Sequence, residues 1–426
     1  MGPELILLVI AACIVGSLIG TFTGVVPGIH VNTLASLMLV SYPAIETFIL
    51  TFTSSVNVPI IVSALIMSAS VVHSFVDFVP SVFIGAPDPD EVLTTLPGHR
   101  LLMQGQGMRA VRAAAIGSAV GASCALILAV PLQYLMLHGL ADQLDTFTIA
   151  VLLFTISAMI LKERGIANKV WAAVIAILSG TLGLICMDVP IPAVGLFGEG
   201  TLLFPLLTGL FGIPALLESF KNASVPEQYD DGVPPVDHVP GIKGVIMGTI
   251  AGWYPGITAT VGASLSSIFM PENKPERFIS VIASVGTVTS IFSLITLSVS
   301  GSGRSGTVLV IKDIIGERVS GFCSPDFLLL LLCAAIASFL GYHITISVGK
   351  MMSKLTDRID TAFLNKTVLC LIVVLVLLLT GPFGLLVLAA AILVGMIPIT
   401  IGMGRISLTG CLMLPVIIHG LFGLIF

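Results

Sequence analysis

Gly16-Ser17-Leu18-Ile19-Gly20-Thr21-Phe22-Thr23-Gly24-Val25-Val26-Pro27-Gly28-Ile29-His30 returns 228 residues later as Gly244-Val245-Ile246-Met247-Gly248-Thr249-Ile250-Ala251-Gly252-Trp253-Tyr254-Pro255-Gly256-Ile257-Thr258. The correspondence continues at the same offset through Ala35, Ser36, Leu37 and Pro43. Together with Gly16, Gly20, Thr21, Gly24, Pro27, Gly28 and Ile29, these make eleven identities in 28 ungapped positions. Shared apolar composition alone would not give so many. Fainter matches follow in the same order: Ser74 with Ser290, Gly85 with Gly301, and Gly209-Leu210-Phe211-Gly212 with Gly420-Leu421-Phe422-Gly423. An ordered series of this kind reads as a duplication.

Each copy sits in a sequence that water cannot dissolve. Of 426 residues, 56% are hydrophobic and 10% charged, where an ordinary soluble domain carries about 25% charged residues. The tracts 5–45, 113–141, 278–303, 327–349 and 367–404 contain no Asp, Glu, Lys or Arg. About 20 apolar residues cross a bilayer as a helix, and helices satisfy their own backbone groups in lipid, as open strands cannot. The expected fold is therefore an all-α integral membrane protein: a polytopic helical bundle of two inverted-topology repeats, with Pro-Gly-broken helices and re-entrant hairpins. The polar, proline-rich run 218–243 separates the first repeat, 1–217, from the second, 244–426, and is expected to be a cytoplasmic linker. Residues 1–15 lack the basic start of a secretory signal and run into a second apolar stretch, so they read as a retained first helix.

Hydrophobic segments start near residues 4, 31, 57, 111, 146, 170 and 200 in the first repeat, and near 243, 258, 277, 327, 367, 384 and 408 in the second. Seven per repeat would invert the second copy. Charge placement agrees: 15 of the 18 Lys and Arg then fall on the cytoplasmic side, and only Arg304, Lys312 and Arg318 fall outside, as the positive-inside rule expects. A re-entrant hairpin in place of any one span would change that parity.

Seven cysteines without a CxxC pair indicate neither a disulfide framework nor a metal site. A net charge of -5 on so large a chain argues against a nucleic-acid partner. No nucleophile elbow, Walker loop, HExxH or paired acid and base at catalytic spacing is present. The chain is accordingly read as a transporter and not an enzyme.

Glycines at four-residue spacing share one helix face and let a neighbouring helix approach. Pro27-Gly28 and Pro255-Gly256 act differently, since proline removes a backbone donor and glycine relaxes the helix. Paired breaks at corresponding positions of two halves point to a transport site, where freed backbone groups coordinate substrate; simple kinks are the alternative. The polar residues after each break, His30, Asn32 and Thr33 in one copy and Thr258 and Thr260 in the other, are candidate substrate contacts, although a single histidine on an apolar helix often only packs. His73, Ser74 and Asp77 fall within about one turn of a second apolar stretch. An acid inside a span is costly and usually functional, so these three are candidates for coupling to Na+ or H+, unless the segment ends early and leaves Asp77 at the interface. Two loops follow. Gly85-Ala86-Pro87-Asp88-Pro89-Asp90-Glu91 offers Asp88 and Asp90 to a cation, and Gly301-Ser302-Gly303-Arg304-Ser305-Gly306-Thr307 offers Ser302, Arg304 and Ser305 to a carboxylate or phosphate. Both also fit ordinary solvated loops.

Gly20-x3-Gly24-x2-Pro27-Gly28 with Pro43, and then Pro97-Gly98-x4-Met103-x3-Gly107 leading into an alanine-rich helix, resembles the large membrane subunit of the tripartite tricarboxylate transporters over nearly the whole chain. Pro97-Gly98-His99 replaces that family's usual Asp-Gly-aromatic, and Pro27-Gly28-Ile29-His30 its Pro-Gly-Leu-Gly, which places the chain in a divergent, archaeal-type branch. The resemblance implies a TctA-like secondary transporter for small carboxylate anions, working with a small membrane subunit and an extracytoplasmic binding protein. A homodimer in the lipid bilayer is also expected. A flippase for polyprenyl-phosphate lipid carriers is the alternative, and an intramembrane enzyme or receptor acting on lipid is a third reading.

Overall fold

The computed structural model describes residues 3–26, 31–83, 95–188, 193–196, 198–199, 202–219, 226–301, 305–355 and 361–423. Seven helices among them are long and apolar enough to cross a membrane, and the chain is an all-α polytopic membrane protein. The first half contributes α1 (Pro3–Val25), α2 (Val31–Val40), α3 (Tyr42–Ile49), α4 (Val58–Val76), α5 (Phe78–Phe83), α6 (Thr95–Leu102), α7 (Gly107–Leu135), α8 (Ala141–Thr146), α9 (Thr148–Lys162), α10 (Ile166–Asp188), α11 (Leu203–Leu207) and α12 (Ile213–Ser219). The remainder holds α13 (Val239–Trp253), α14 (Ala259–Phe269), α15 (Pro275–Ser300), α16 (Gly306–Ile315), α17 (Pro325–Leu355), α18 (Thr361–Ile401) and α19 (Gly410–Gly423). A two-residue antiparallel ladder, Val194–Gly195 on Gly198–Glu199, is the only strand pairing among the described residues.

The glycine series sets the packing. A Cβ on Gly16 would stand 2.3 Å from the Leu65 carbonyl oxygen, one on Gly20 2.4 Å from that of Ala69, and one on Gly24 2.9 Å from Val76 Cβ. Residue numbers rise together, so α1 and α4 lie parallel and in backbone contact. The second series does the same on α15: Gly244 faces Val281 and Ser284, Gly248 faces Val288, and Gly252 faces Phe292.

The two pairs run in opposite directions. α7 and α15 are parallel, joined by Arg109–Glu276 at one end and Gln133–Ser298 at the other. Residues 316–321 lie at this second end, where Gly321 N–H donates to the Ser298 carbonyl, and Arg318 reaches from there to the Val56 carbonyl just before α4. Thus α4 starts where α15 finishes.

α13 and α14 are joined by a turn that lies inside the molecule. Lys243, the fifth residue of α13, bonds Glu272 beyond α14 at 2.5 Å, so α13 and α14 begin and end on the same side. Their turn lies level with Phe292, and α15 continues eight residues beyond that, about 12 Å at 1.5 Å per residue. α1 likewise stops level with Val76 while the α4–α5 rod continues to Phe83, about 10 Å further. Several of the expected segments, among them α2, α9, α13, α14 and α19, are helices of 10 to 15 residues, too short to cross alone. The expected boundary between segments near 367 and 384 falls at Gly381, where φ 67° interrupts α18.

α4 and α15 are the buried centre: most of each is hidden, whereas α1 and α10 bury about a third of their residues and leave Leu7, Leu18, Phe22, Ile166 and Ile177 exposed. Lipid faces the apolar helices, and the polar residues collect inside. α15 carries Ser284, Thr289 and Thr296, whose hydroxyls donate to the Gly241, Gly248 and Gly252 carbonyls of α13 at 2.6, 3.3 and 2.9 Å. A second core, with Ile175, Leu206, Leu210, Ala391, Leu408 and Cys411, is built from α10, α11, α18, α19 and the turns beside them. The large core and this smaller one both use elements from before and after residues 218–243.

The described part of that polar run, from Pro226, is strapped across the end shared by α7, α13 and α15. Tyr229 N–H donates to the Gly105 carbonyl, Gln228 takes the Gly107 N–H, Arg112 forks onto Asp230 at 2.9 and 2.7 Å, and Arg277 bridges Asp237 and Glu272. The Arg112 guanidinium holds the Asp230 carboxyl below its ordinary value. A depressed carboxylate contributes stability above its unfolded pKa, about 3.9, and loses it as pH falls through the folded value. Acidification through and below about pH 4 is therefore expected to lower the apparent unfolding temperature, and Asp230→Asn should flatten that part of the profile.

Candidate functional site

Both Pro-Gly elements fall between helices, α1 giving way to α2 across residues 26–30 and α13 to α14 across 254–258. Pro27, Gly28 and His30 lie outside the described residues, as do Asp88, Asp90, Ser302 and Arg304. The residues flanking them carry the geometry.

Asn32, the second residue of α2, accepts the Thr307 N–H through Oδ1 at 3.0 Å. It thereby caps α16, a helix 275 residues further along the chain. The fit needs Gly306 to be glycine, because a Cβ there would come within 2.9 Å of Asn32 Cγ. Ser305 is the N-cap of α16 and accepts the Val308 N–H at 3.3 Å. Its hydroxyl also pairs with Thr307 Oγ1 at 3.0 Å, and Thr307 in turn meets Ser70 Oγ of α4 at 3.4 Å. Ser70 is at the middle of the 26-residue rod 58–83. Three elements thus converge at mid-depth, with the segment after the first Pro-Gly break beside the segment after the serine- and glycine-rich loop. Asn32 and Ser305 already take the Thr307 and Val308 N–H groups, but the partial positive charge of helix N-termini still favours negative charge at this meeting point.

One turn along α4 from Ser70 the ionisable residues begin. His73 is 3% exposed and Asp77 5%; they are spaced i, i+4 on one helix face. The rod continues through α5, so Asp77 is inside it and not at its end. His73 Nδ1 is 3.0 Å from Thr23 Oγ1 of α1, and Gly24 stands beside Val76 and the Asp77 backbone N–H. Ser74 donates back to the Val71 carbonyl at 2.8 Å.

The second hairpin tip lies elsewhere. Gly256, at φ +80°, packs against Leu412 and Met413 of α19; glycine is the residue that takes this conformation without strain. Pro255 precedes it in the turn. Thr258 is the N-cap of α14 and accepts the Val261 N–H at 3.3 Å, while Thr260 is the second residue of that helix and Thr33 the third of α2. Among the described residues no hydrogen bond joins Thr258 to the Asn32, Ser305 and Ser70 group.

Ser70, Thr307 and Thr23 were not among the residues expected from the sequence. Thr307 ends the glycine-rich loop quoted above and was within reach of that reading. Ser70 and Thr23 are single hydroxyls on apolar helices, and only the packing shows what they touch.

Three comparisons bear on this arrangement. The family model "Tripartite tricarboxylate transporter TctA family" matches residues 10–410. An uncharacterized protein of Methanocaldococcus jannaschii is 24% identical over 427 residues, covering 96% of this chain and 98% of that protein. An uncharacterized 52.8 kDa protein of Agrobacterium vitis is 27% identical over 294 residues, or 62% of this chain and 54% of the relative. No solved structure matches the chain.

Proposed function

The chain belongs to the tripartite tricarboxylate transporter TctA family, and on that premise we propose that it is the large membrane component of an ion-coupled secondary transporter that takes up di- or tricarboxylate anions. It is a multi-pass protein of the cell membrane and a member of a transporter family. The observation that carries the finer reading is the convergence of α2, α16 and α4 at mid-depth. Two helix starts, Asn32, Ser305 and Thr307 come together there, next to the two residues of the buried His73–Asp77 face.

In this reading the anion binds where α2 and α16 begin, and Ser302 and Arg304, which precede α16 in the sequence, are further candidate contacts by their chemistry. The second tip, at Pro255, Gly256, Thr258 and Thr260, completes the site as one bundle moves against the other. Paired broken helices near the midplane are the recurrent way in which secondary transporters place freed backbone groups around a substrate. His73 and Asp77, with Ser74, couple transport to H+ or Na+. A small membrane subunit and an extracytoplasmic binding protein are the expected partners, since the family is tripartite, and a homodimer is the expected assembly. The chain itself catalyses no covalent chemistry.

Uptake of radiolabelled citrate into proteoliposomes, under an imposed proton gradient and separately a sodium gradient, tests the proposal. One gradient should drive accumulation, and Asp77→Asn should lower driven uptake at least tenfold while leaving the protein folded. Gradient-independent uptake, or an Asp77→Asn variant that still accumulates citrate, would remove the coupling role. If citrate is not taken up, the same vesicles tested with smaller dicarboxylates decide the substrate class.

A further inference from the structure

The contact between His73 and Thr23 joins α4 to α1, and a count of the donors and acceptors around it distinguishes the two tautomers of the ring. Ser17 and Thr21 of α1 bond carbonyls of their own helix, those of Cys13 and Ser17. Among the described residues, Thr23 is the α1 hydroxyl that also reaches another helix. Gly20 packs on Ala69 and Gly24 on Val76, so Thr23 falls in the seam between them, opposite His73. Both side chains are buried, at 2% and 3% exposure.

Thr23 Oγ1 has two neighbours within hydrogen-bond distance: His73 Nδ1 at 3.0 Å and the Gly20 carbonyl at 3.1 Å. The carbonyl can only accept, and a hydroxyl has one proton. With the imidazole proton on Nδ1, the ring donates to Thr23 and Thr23 donates to Gly20, so both contacts are hydrogen bonds. With the proton on Nε2, the hydroxyl must choose, and one of the two contacts is lost.

We propose that Thr23 is the positioning residue of His73: it fixes the ring as the Nδ1–H tautomer, leaving Nε2 as the nitrogen at which a coupling proton is taken up and released. This rests on the reading of His73 and Asp77 as the ion-coupling pair. Proton uptake converts the Nε2 lone pair to N–H and the ring to an imidazolium; the Nδ1–H···Thr23 bond is unchanged in both states. The ring therefore stays registered to α1 through a coupling cycle, as a histidine is registered by a partner on its other nitrogen in metal and catalytic sites. Groups that titrate on neighbouring elements at this level are Asp77 on α4 itself, and Tyr342 and His343 beside Gly341, which packs on Phe75. α16, whose first turn meets Ser70, carries Lys312 and Asp313, while the last three turns of α1 carry none. α7 and α15 hold Arg109, Arg112, Glu276 and Arg277 at the strapped end, away from the seam.

The test is ¹⁵N NMR of histidine side chains in the full-length protein in detergent, at a pH well above the ordinary imidazole value of about 6.5, with the His73 signals assigned by their loss in His73→Gln. The wild type should carry its proton on Nδ1. Thr23→Val should lose that Nδ1–H signal, and Thr23→Ser should restore it, which a merely packing role for Thr23 would not produce. An Nε2–H ring in the wild type, or an unchanged ring in Thr23→Val, overturns the proposal; if Thr23→Val does not fold, the wild-type tautomer and Thr23→Ser still decide. The wider coupling reading fails separately, if His73→Gln leaves the proton dependence of citrate uptake intact whatever the tautomer.

Discussion

Gly20→Ala is expected to destabilise the protein by about 2 to 3 kcal/mol. The added methyl would sit 2.4 Å from the Ala69 carbonyl oxygen and 2.9 Å from its Cα. Both obstacles are backbone in the interior of a helix, so no side-chain rotation relieves them. α1 must move away from α4, which opens the seam on either side, at Gly16–Leu65 and Gly24–Val76. The same displacement draws Thr23 away from His73, so the substitution should also disturb the coupling proposed for His73. Gly404→Ala is the control: nothing lies within 4 Å of its would-be Cβ, and the change should stay within about 0.5 kcal/mol. Apparent unfolding midpoints in one detergent, measured on both variants, check the contrast.

The second large effect is at Gln133. Its carboxamide is fully buried and makes three bonds to two other elements: Nε2 donates to Ser298 Oγ at 2.9 Å and to the Gly321 carbonyl at 3.1 Å, and Oε1 accepts the Cys323 N–H at 3.1 Å. These tie the end of α7 to the end of α15 and to the turn that leads into α17, where Cys323 is held at φ 52°. Gln133→Leu keeps the bulk but strips the partners, leaving a peptide N–H and a carbonyl without protein acceptor or donor. With buried unsatisfied groups costing about 1 to 3 kcal/mol each, a loss of about 2 to 4 kcal/mol is expected. Gln133→Glu should not rescue it, since a carboxylate accepts from Cys323 but has no N–H for Gly321. The same midpoint measurement applies, with Gln133→Glu as the discriminating variant.

The class of the protein and its two breaks were legible in the sequence because each has a local cause. Charge-free tracts report removal from water, whether into lipid, as for α1, or into the protein's own centre, as for α15. A proline followed at once by a glycine removes a backbone donor and relaxes the chain together, and α1 and α13 stop just short of Pro27 and Pro255. The glycine spacing of four residues forecast the α1–α4 and α13–α15 seams before either partner was known. What could not be read was the length of each crossing. α14 is as apolar as a true span, but only its pairing of ends, Lys243 with Glu272, shows that it returns to the side from which α13 came. The cross-chain contacts were equally hidden. Asn32 was expected to meet substrate from its position after a break, yet its Oδ1 caps a helix start 275 residues away, a role fixed only when α2 and α16 meet. Thr23 carries no sequence signal at all, because its contact with His73 exists only once α1 packs on α4.

Ligand stabilisation of the purified protein is the first measurement to make of carboxylate binding, because a ligand that binds only the folded state must raise its apparent stability. The panel is citrate and smaller di- and tricarboxylates, each with sodium, with potassium and at low pH, set against a short-chain polyprenyl phosphate. A rise is expected with at least one carboxylate, dependent on a single cation condition, lost in Arg304→Ala and weakened in Ser305→Ala. No response to any carboxylate, with a clear rise from the lipid phosphate, would contradict it and make lipid-carrier translocation the function to pursue.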